Sequence, residues 1–199
     1  VYSLGFVAAL GIEPTLESTR TYRSPNIRHL PDSRGRIQPF ATFPNALHVS
    51  VVEVDPETGI VELRRHVVAH DCGTVVNPAF VDGQVRGGVA MGVGAALGEE
   101  LVYTEDGRLA TDGFKTYLLP RADDLPPIEV EHQVTPSPFS FLGAKGAGEA
   151  GFAGAHVAVF NAVNDAIGPL GARIDRLPVS APSVLAALRA AAAPVGVER

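Results

Sequence analysis

The sequence predicts an α+β fold, with mixed strands in hairpins and Gly-rich buried helices. Three observations predict it. Val-rich segments at 47–55 and 60–72 flank Pro56-Glu-Thr-Gly59, a turn with Gly at its last position, which together signal a hairpin. Stretches of small and apolar residues at 79–98 and 152–167 are long enough for helices. The chain of 199 residues also holds 21 glycines and 16 prolines, so much of its backbone must turn tightly or run irregularly.

In chain order, residues 1–19 are a short apolar segment followed by a polar turn at Glu13-Pro14. The apolar run Val1 to Leu10 lacks the basic flank and cleavage pattern of a signal peptide. Residues 20–46 carry five Arg and four Pro with little periodicity. With Tyr22, Ile27, Leu30, Phe40 and Phe43 interspersed among polar residues, they are expected to form an extended arm lying on a partner chain. The alternative is a disordered linker. The sequence thus divides into residues 1–46, an N-terminal segment and arm, and a C-terminal domain at 47–199.

After the first hairpin, Asn77-Pro78 predicts a turn, with Pro78 opening the helix. Glycines 83, 87, 88, 92, 94 and 98 lie in that helix, and each costs about 1 kcal/mol relative to Ala in a helix interior. Gly83, Gly87, Ala90, Gly94 and Gly98 fall on or near one stripe. Something must press closely on it, either another helix backbone or a large ligand. A second hairpin is predicted across Glu105-Asp106-Gly107, then a loop at 116–127 and a strand at 128–135. Ala172 to Pro178 reads as a short strand, and Ser180 to Ala193 as a last helix with Ser180 as N-cap.

Composition excludes several function classes. The net charge of −6 leaves no electrostatic footprint for nucleic acid. No apolar run is long enough to span a bilayer. The single cysteine, Cys72, cannot form an internal disulfide or supply an iron–sulfur site. His66 and His70 share one face of a β segment, but no third ligand is in register for zinc.

The most informative stretch is Gly143-Ala-Lys-Gly-Ala-Gly-Glu149-Ala-Gly151. Such a density of glycine implies backbone that passes close to something or adopts positive φ. Glu149 stands at the entrance of the helix at 152–167, where backbone N–H groups can hold an anion. The plainer reading is a helix cap with a tight turn. Phe139, Phe141 and Phe152 surround this stretch, and core packing is expected of them ahead of an aromatic pocket. Asp71 and Asn77 are expected to fix turns by bonding backbone, and Cys72 to be a small buried residue. Lys145 reads either as an anion partner or as a solvated cation.

Three motifs stand in order: Asp71-Cys72-Gly73-x3-Asn77-Pro78, Gly83-Gln84-x2-Gly87-Gly88-x3-Gly92-x-Gly94, and Lys145-Gly146-x-Gly148-Glu149. Together with Val52-Glu-Val-Asp-Pro-x-Thr-Gly59, Glu99-Glu100-x2-Tyr103 and Asn161-Ala162-Val163-x-Asp165-Ala166, they resemble the C-terminal portion of the large, molybdopterin-binding subunit of the xanthine dehydrogenase and aldehyde oxidase family. The resemblance covers roughly residues 47–190. It implies that 47–199 is a molybdopterin-binding domain of the molybdenum hydroxylase type. Glu149 then matches the catalytic base, Gln84 the glutamine that contacts the pterin, and Lys145, Gly146, Ala147 and Gly148 the loop against the cofactor.

The reaction implied is hydroxylation of an aldehyde or N-heteroaromatic small molecule with water as oxygen source. Molybdenum would be held by the pterin rather than by protein ligands, and bacterial relatives often carry the cytosine dinucleotide form. Iron–sulfur clusters, and FAD where present, would lie on partner chains: an iron–sulfur subunit, a flavin subunit and the remaining molybdopterin-binding polypeptide. The family's upstream cofactor-binding loops find no clear match in residues 1–46, so this chain is expected to carry part of a site and to act only within a hetero-oligomer, in the cytoplasm. The alternative is a non-catalytic structural or interaction subunit that keeps the fold without cofactor.

Overall fold

The computed structural model describes residues 18–24 and 26–193, and the apolar segment and turn predicted at the N-terminus fall largely outside them. The chain divides into two compact units, the first ending at Pro39 and the second beginning at Phe40. Within the first, the described backbone is irregular apart from one antiparallel bridge between Arg28 and Gln38. Asp32 organises the turn between them. Its carboxylate accepts from the backbone N–H groups of Arg34 and Arg36 and pairs with the Arg36 guanidinium.

The second unit is built on a three-stranded sheet of order β1-β2-β3, with β1 at Asn45–Val54, β2 at Val61–Asp71 and β3 at Ile128–His132. β1 and β2 form the predicted antiparallel hairpin. Its turn relies on Asp55, whose carboxylate accepts from Glu57 N–H and the Thr58 hydroxyl, and on Gly59 at φ 76°. The register slips between Val51 and Val52, leaving Arg64 as an extra residue in β2. That bulge changes the parity of the strand, so Leu63 faces inward beside His66, Val68 and His70. β3 joins β2 in parallel, which requires a long crossover between them.

Helix α1, Pro78–Leu97, forms part of that crossover. It starts with Pro78 as predicted, and Asn77 caps it by accepting from Phe80 N–H. Helix α2, Ala150–Ile167, buries Gly151, Ala155, Val159, Val163 and Ile167, one stripe at helical spacing. Helix α3, Ala181–Ala192, follows Ser180, whose side chain makes no capping hydrogen bond to the backbone and meets the Ser183 hydroxyl instead. The core gathers Val68 of β2, Val85, Val89 and Val93 of α1, Val159 and Val163 of α2, and Val184 of α3, all fully or almost fully buried.

The glycines of α1 have different surroundings. A Cβ on Gly88 would lie 2.8 Å from Phe152 N, and one on Gly92 2.7 Å from Ala155 Cβ, so these two admit α2 at close range. Gly151 of α2 reciprocates, since its Cβ would lie 2.3 Å from Val85 O. Gly83 and Gly87 have no atom within 4 Å of an added Cβ and face open space. The glycines that admit α2 thus lie off the predicted stripe. On the stripe Gly83 and Gly87 stay open, while a Cβ on Gly94 would lie 2.1 Å from Glu99 Oε1 and one on Gly98 3.1 Å from Leu118 Cβ, both in the segment after α1.

Two expectations are corrected. Residues 172–178 form no strand, because their backbone is held by other partners: Ala172 N–H donates to Ile167 O and Ile174 N–H to Asn164 Oδ1, and just beyond the segment Val179 N–H donates to Ala96 O. Phe139 and Phe141 are not core residues, being 43% and 96% exposed. The second hairpin is present but short, reduced to one bridge between Tyr103 and Leu109 around Gly107 at φ 81°.

Candidate functional site

Gln84 lies on the face of α1 that carries Gly83 and Gly87, and the loop before α2 crosses that face. The Gln84 amide donates from Nε2 to Gly148 O at 2.7 Å, bridging 64 residues of sequence. The result is a concavity of about 250 Å3 bounded by Gly83, Gln84, Gly87 and Met91 on one side, and by Glu149 and Phe152 on the other. Gly88 and Gly148 complete its wall. Phe152 stacks on His156, with ring centroids 5.2 Å apart, which orients its ring.

Glu149 occupies the N-cap position of α2. Its carbonyl accepts from Phe152 and Ala153 N–H, while its side chain makes no capping hydrogen bond and is exposed. The carboxylate thus stands at the positive end of the helix beside the concavity, free of a partner that would occupy its lone pairs.

The loop leading to Glu149 is anchored at its root. Lys145 N–H donates to Cys72 O, and Gly143 O accepts from both Thr74 and Ser137 N–H. Gly73, at φ 67°, must be glycine there, because a Cβ would lie 2.1 Å from Gly143 O. The Lys145 ammonium turns inward, 2.9 Å from Asp71 Oδ2 and 2.7 Å from Thr135 Oγ1. It is neither a solvated cation nor part of the wall of the concavity. Asp71 also accepts from Gly73 N–H at 2.8 Å, fixing the turn as expected, and from Thr135. Burial pushes the Asp71 carboxyl upward. The hydrogen bonds from Thr135, Lys145 and Gly73 outweigh that and hold it well below the usual carboxylate range.

Gly146 and Gly148 have ordinary negative φ and no neighbour within 4 Å of an added Cβ. Among the described residues nothing requires glycine at either place, and both face open space. Ala147 lies between them, partly buried. Cys72 is free and buried, and burial raises its thiol pKa. Among the described residues, no group of three or more His, Cys, Asp or Glu could hold a metal ion. No helix among them is long and apolar enough to cross a membrane.

Three contributions were not legible in the sequence. Met91 lines the concavity one helical turn beyond Gly87. Asp71 anchors Lys145 across 74 residues. His48 of β1 reaches Ala150 O, next to Glu149, at 2.9 Å. The only available signal for His48 was a polar residue at an inward position of the hairpin. A larger groove of about 1010 Å3, between β2, α1 and the loop at 114–126, contains none of the predicted site residues.

Comparison with known proteins places the chain in a family. Residues 3–126 match the molybdopterin cofactor-binding domain family, extending upstream the likeness carried by the motifs at 47–190. The chain is 40% identical over 179 residues to the nicotine 6-hydroxylase large subunit of Paenarthrobacter nicotinovorans, covering 90% of this chain and 20% of that protein. It is 35% identical over 167 residues to the carbon monoxide dehydrogenase large chain of Afipia carboxidovorans, covering 84% and 19%. The crystal structure of quinoline 2-oxidoreductase from Pseudomonas putida 86 superposes with a TM-score of 0.72 at 37% identity, over 73% of this chain and 19% of that one. The chain thus spans about a fifth of the length of the relatives it matches. By its motifs, its α+β fold and these matches, the chain belongs to the molybdopterin-binding domains of the xanthine dehydrogenase family of molybdenum-dependent oxidoreductases.

Proposed function

We propose that this chain is the part of a molybdenum hydroxylase that holds one side of the molybdopterin and supplies the catalytic base, Glu149. One observation carries the reading: the Gln84–Gly148 hydrogen bond brings a glutamine and a glutamate from distant segments to a single small concavity. The residues fit the group. Gly83 and Gly87 leave space that any side chain would fill, as do Gly146 and Gly148 on the loop. The Gln84 amide and the backbone N–H groups of the loop at 146–148 offer donors to a polar, anionic cofactor. Lys145 serves the same cofactor through the loop it anchors, its ammonium being spent on Asp71.

When bound, the molybdopterin supplies the redox chemistry and activates the water that provides the oxygen. The chain's own contribution is to hold, orient and take a proton. Gln84 fixes Gly148 and with it the approach of the loop. Glu149, unpaired at the helix entrance, accepts the proton of the reacting water. Phe152 and Met91 offer apolar walls to an aldehyde or N-heteroaromatic substrate.

The rest of the assembly is part of the same reading. Iron–sulfur and flavin subunits and the remaining molybdopterin-binding polypeptide complete the enzyme, with the pterin as a cytosine dinucleotide. The buried, unbridged Cys72 is in keeping with a cytoplasmic compartment. The arm at 20–46, with Leu30 78% and Phe40 61% exposed, suits contact with a partner surface. The test is Glu149→Gln in the assembled enzyme. Turnover should fall ~10²–10⁴-fold with molybdenum content unchanged. Turnover near wild type would remove Glu149 from the role, and an assembly without molybdenum would favour a non-catalytic subunit.

A further inference from the structure

A chain of side-chain hydrogen bonds runs from the sheet to the helix entrance. Ser50 Oγ lies 2.9 Å from His66 Nδ1, His66 Nε2 lies 3.2 Å from His48 Nδ1, and His48 Nε2 lies 2.9 Å from Ala150 O. The last contact sets the direction of all the others. A carbonyl oxygen can only accept, so His48 carries its proton on Nε2. With His48 neutral, its Nδ1 is bare and must accept, which puts the His66 proton on Nε2. His66 Nδ1 is then bare, and the Ser50 hydroxyl donates to it. Burial lowers the pKa of both imidazoles, that of His66 to about 4, in keeping with neutral rings.

The His48 ring is also held by shape. A Cβ on Gly154 would lie 2.1 Å from His48 Cδ2, so the ring occupies a slot that only glycine leaves open. Gly154 lies one helical turn beyond Ala150, and the same ring thus touches both ends of the first turn of α2. The Gly154 slot and the Ala150 bond fix that turn against β1 at a point one residue from Glu149. The arrangement needs two histidines in defined tautomers, His66 fully buried and His48 half-buried.

We propose that the relay Ser50–His66–His48 is a positioning device for Glu149: it locks the first turn of α2 through Ala150 O and so fixes where the carboxylate projects. The functional importance of that placement rests on the reading of Glu149 as the base, whereas the locking of the helix turn does not. His48, His66 and Ser50 act through backbone and are not catalytic residues.

The experiment uses the assembled, cofactor-loaded enzyme with His48→Leu, His48→Gln and Gly154→Ala. His48→Gln keeps a donor near the position of Nε2, His48→Leu removes it, and Gly154→Ala expels the ring without altering the histidine. Amide hydrogen exchange over residues 147–155 should quicken roughly 10-fold in His48→Leu and Gly154→Ala, and stay within about 2-fold of wild type in His48→Gln. kcat should fall about 10-fold in the first two, with KM and molybdenum content unchanged, and recover to within about 3-fold in His48→Gln. In a Glu149→Gln background, His48→Leu should slow the residual rate by less than about 2-fold.

Unchanged exchange in His48→Leu would overturn the relay. So would His48→Gln behaving like His48→Leu, because the ring would then be acting only as filler. If exchange responds as expected while Glu149→Gln remains active, the locking device stands and the assignment of Glu149 fails.

Discussion

Lys145 Nζ stands 2.9 Å from Asp71 Oδ2, with the two side chains only 10% and 9% exposed. This buried ion pair joins the end of β2 to the root of the Glu149 loop. Breaking such a pair from one side leaves an uncompensated charge and costs about 3–5 kcal/mol. Lys145→Met should therefore lower the thermal midpoint of the assembled protein markedly, and Asp71→Asn should do the same. The double substitution should recover part of the loss, since neither charge is then left alone. Single variants as stable as wild type would show that the pair does not anchor the loop.

The Gln84–Gly148 bond is exposed and neutral, so its net contribution to stability is only about 1 kcal/mol. Gln84→Leu should fold and assemble with almost the wild-type melting temperature. Its molybdenum content or turnover should nevertheless drop, because the amide also faces the concavity. A variant that loses stability but keeps both cofactor and turnover would make Gln84 a structural tie alone.

The two neighbouring glycines of α1 should respond differently. Gly88→Val would drive a branched side chain into the backbone of Gly151 and Phe152, and should abolish soluble assembly. A Cβ on Gly87 meets nothing within 4 Å, so Gly87→Val should fold, but its side chain enters the concavity and should lower bound cofactor. Soluble yield and metal content measured on both variants separate the outcomes. Normal loading in Gly87→Val would show that nothing seats against that face.

Acid sensitivity follows from the buried histidines. His66 has a folded pKa of about 4 against an ordinary 6.5, lowered by burial, and burial also lowers those of His48 and His70. A base whose folded pKa is depressed binds fewer protons folded than unfolded, so its stabilising contribution is complete above pH 6.5. It is lost as pH falls from 6.5 toward 4. For His66 alone the shift corresponds to roughly 3 kcal/mol at the acid end of that window. Asp71, with its depressed carboxyl, acts only at lower pH, losing its contribution below the ordinary carboxylate range. Denaturant midpoints of the assembled protein should therefore fall between pH 6.5 and 4, and His66→Gln should flatten that limb. A flat profile there would mean that the histidines are not buried neutral.

Much of the fold was readable because its signals are local. The β1–β2 hairpin follows from alternating Val residues and the Gly59 turn, and α1 from Asn77 and Pro78 at its start. The Gly-rich loop and its motifs identify the family and mark Gln84 and Glu149 as site candidates, because a requirement for glycine shows in the residue itself. The tertiary structure decided the rest, since the deciding partners are distant in sequence. Which glycines of α1 pack α2 and which stay open depends on where α2 lies, so Gly87 and Gly88 differ although adjacent. Whether Lys145 meets solvent, cofactor or protein depends on Asp71 and Thr135, brought to it by the end of β2 and the segment after β3. His48 acquires its role only when the hairpin register places it between His66 and Ala150, a geometry that local spacing does not encode.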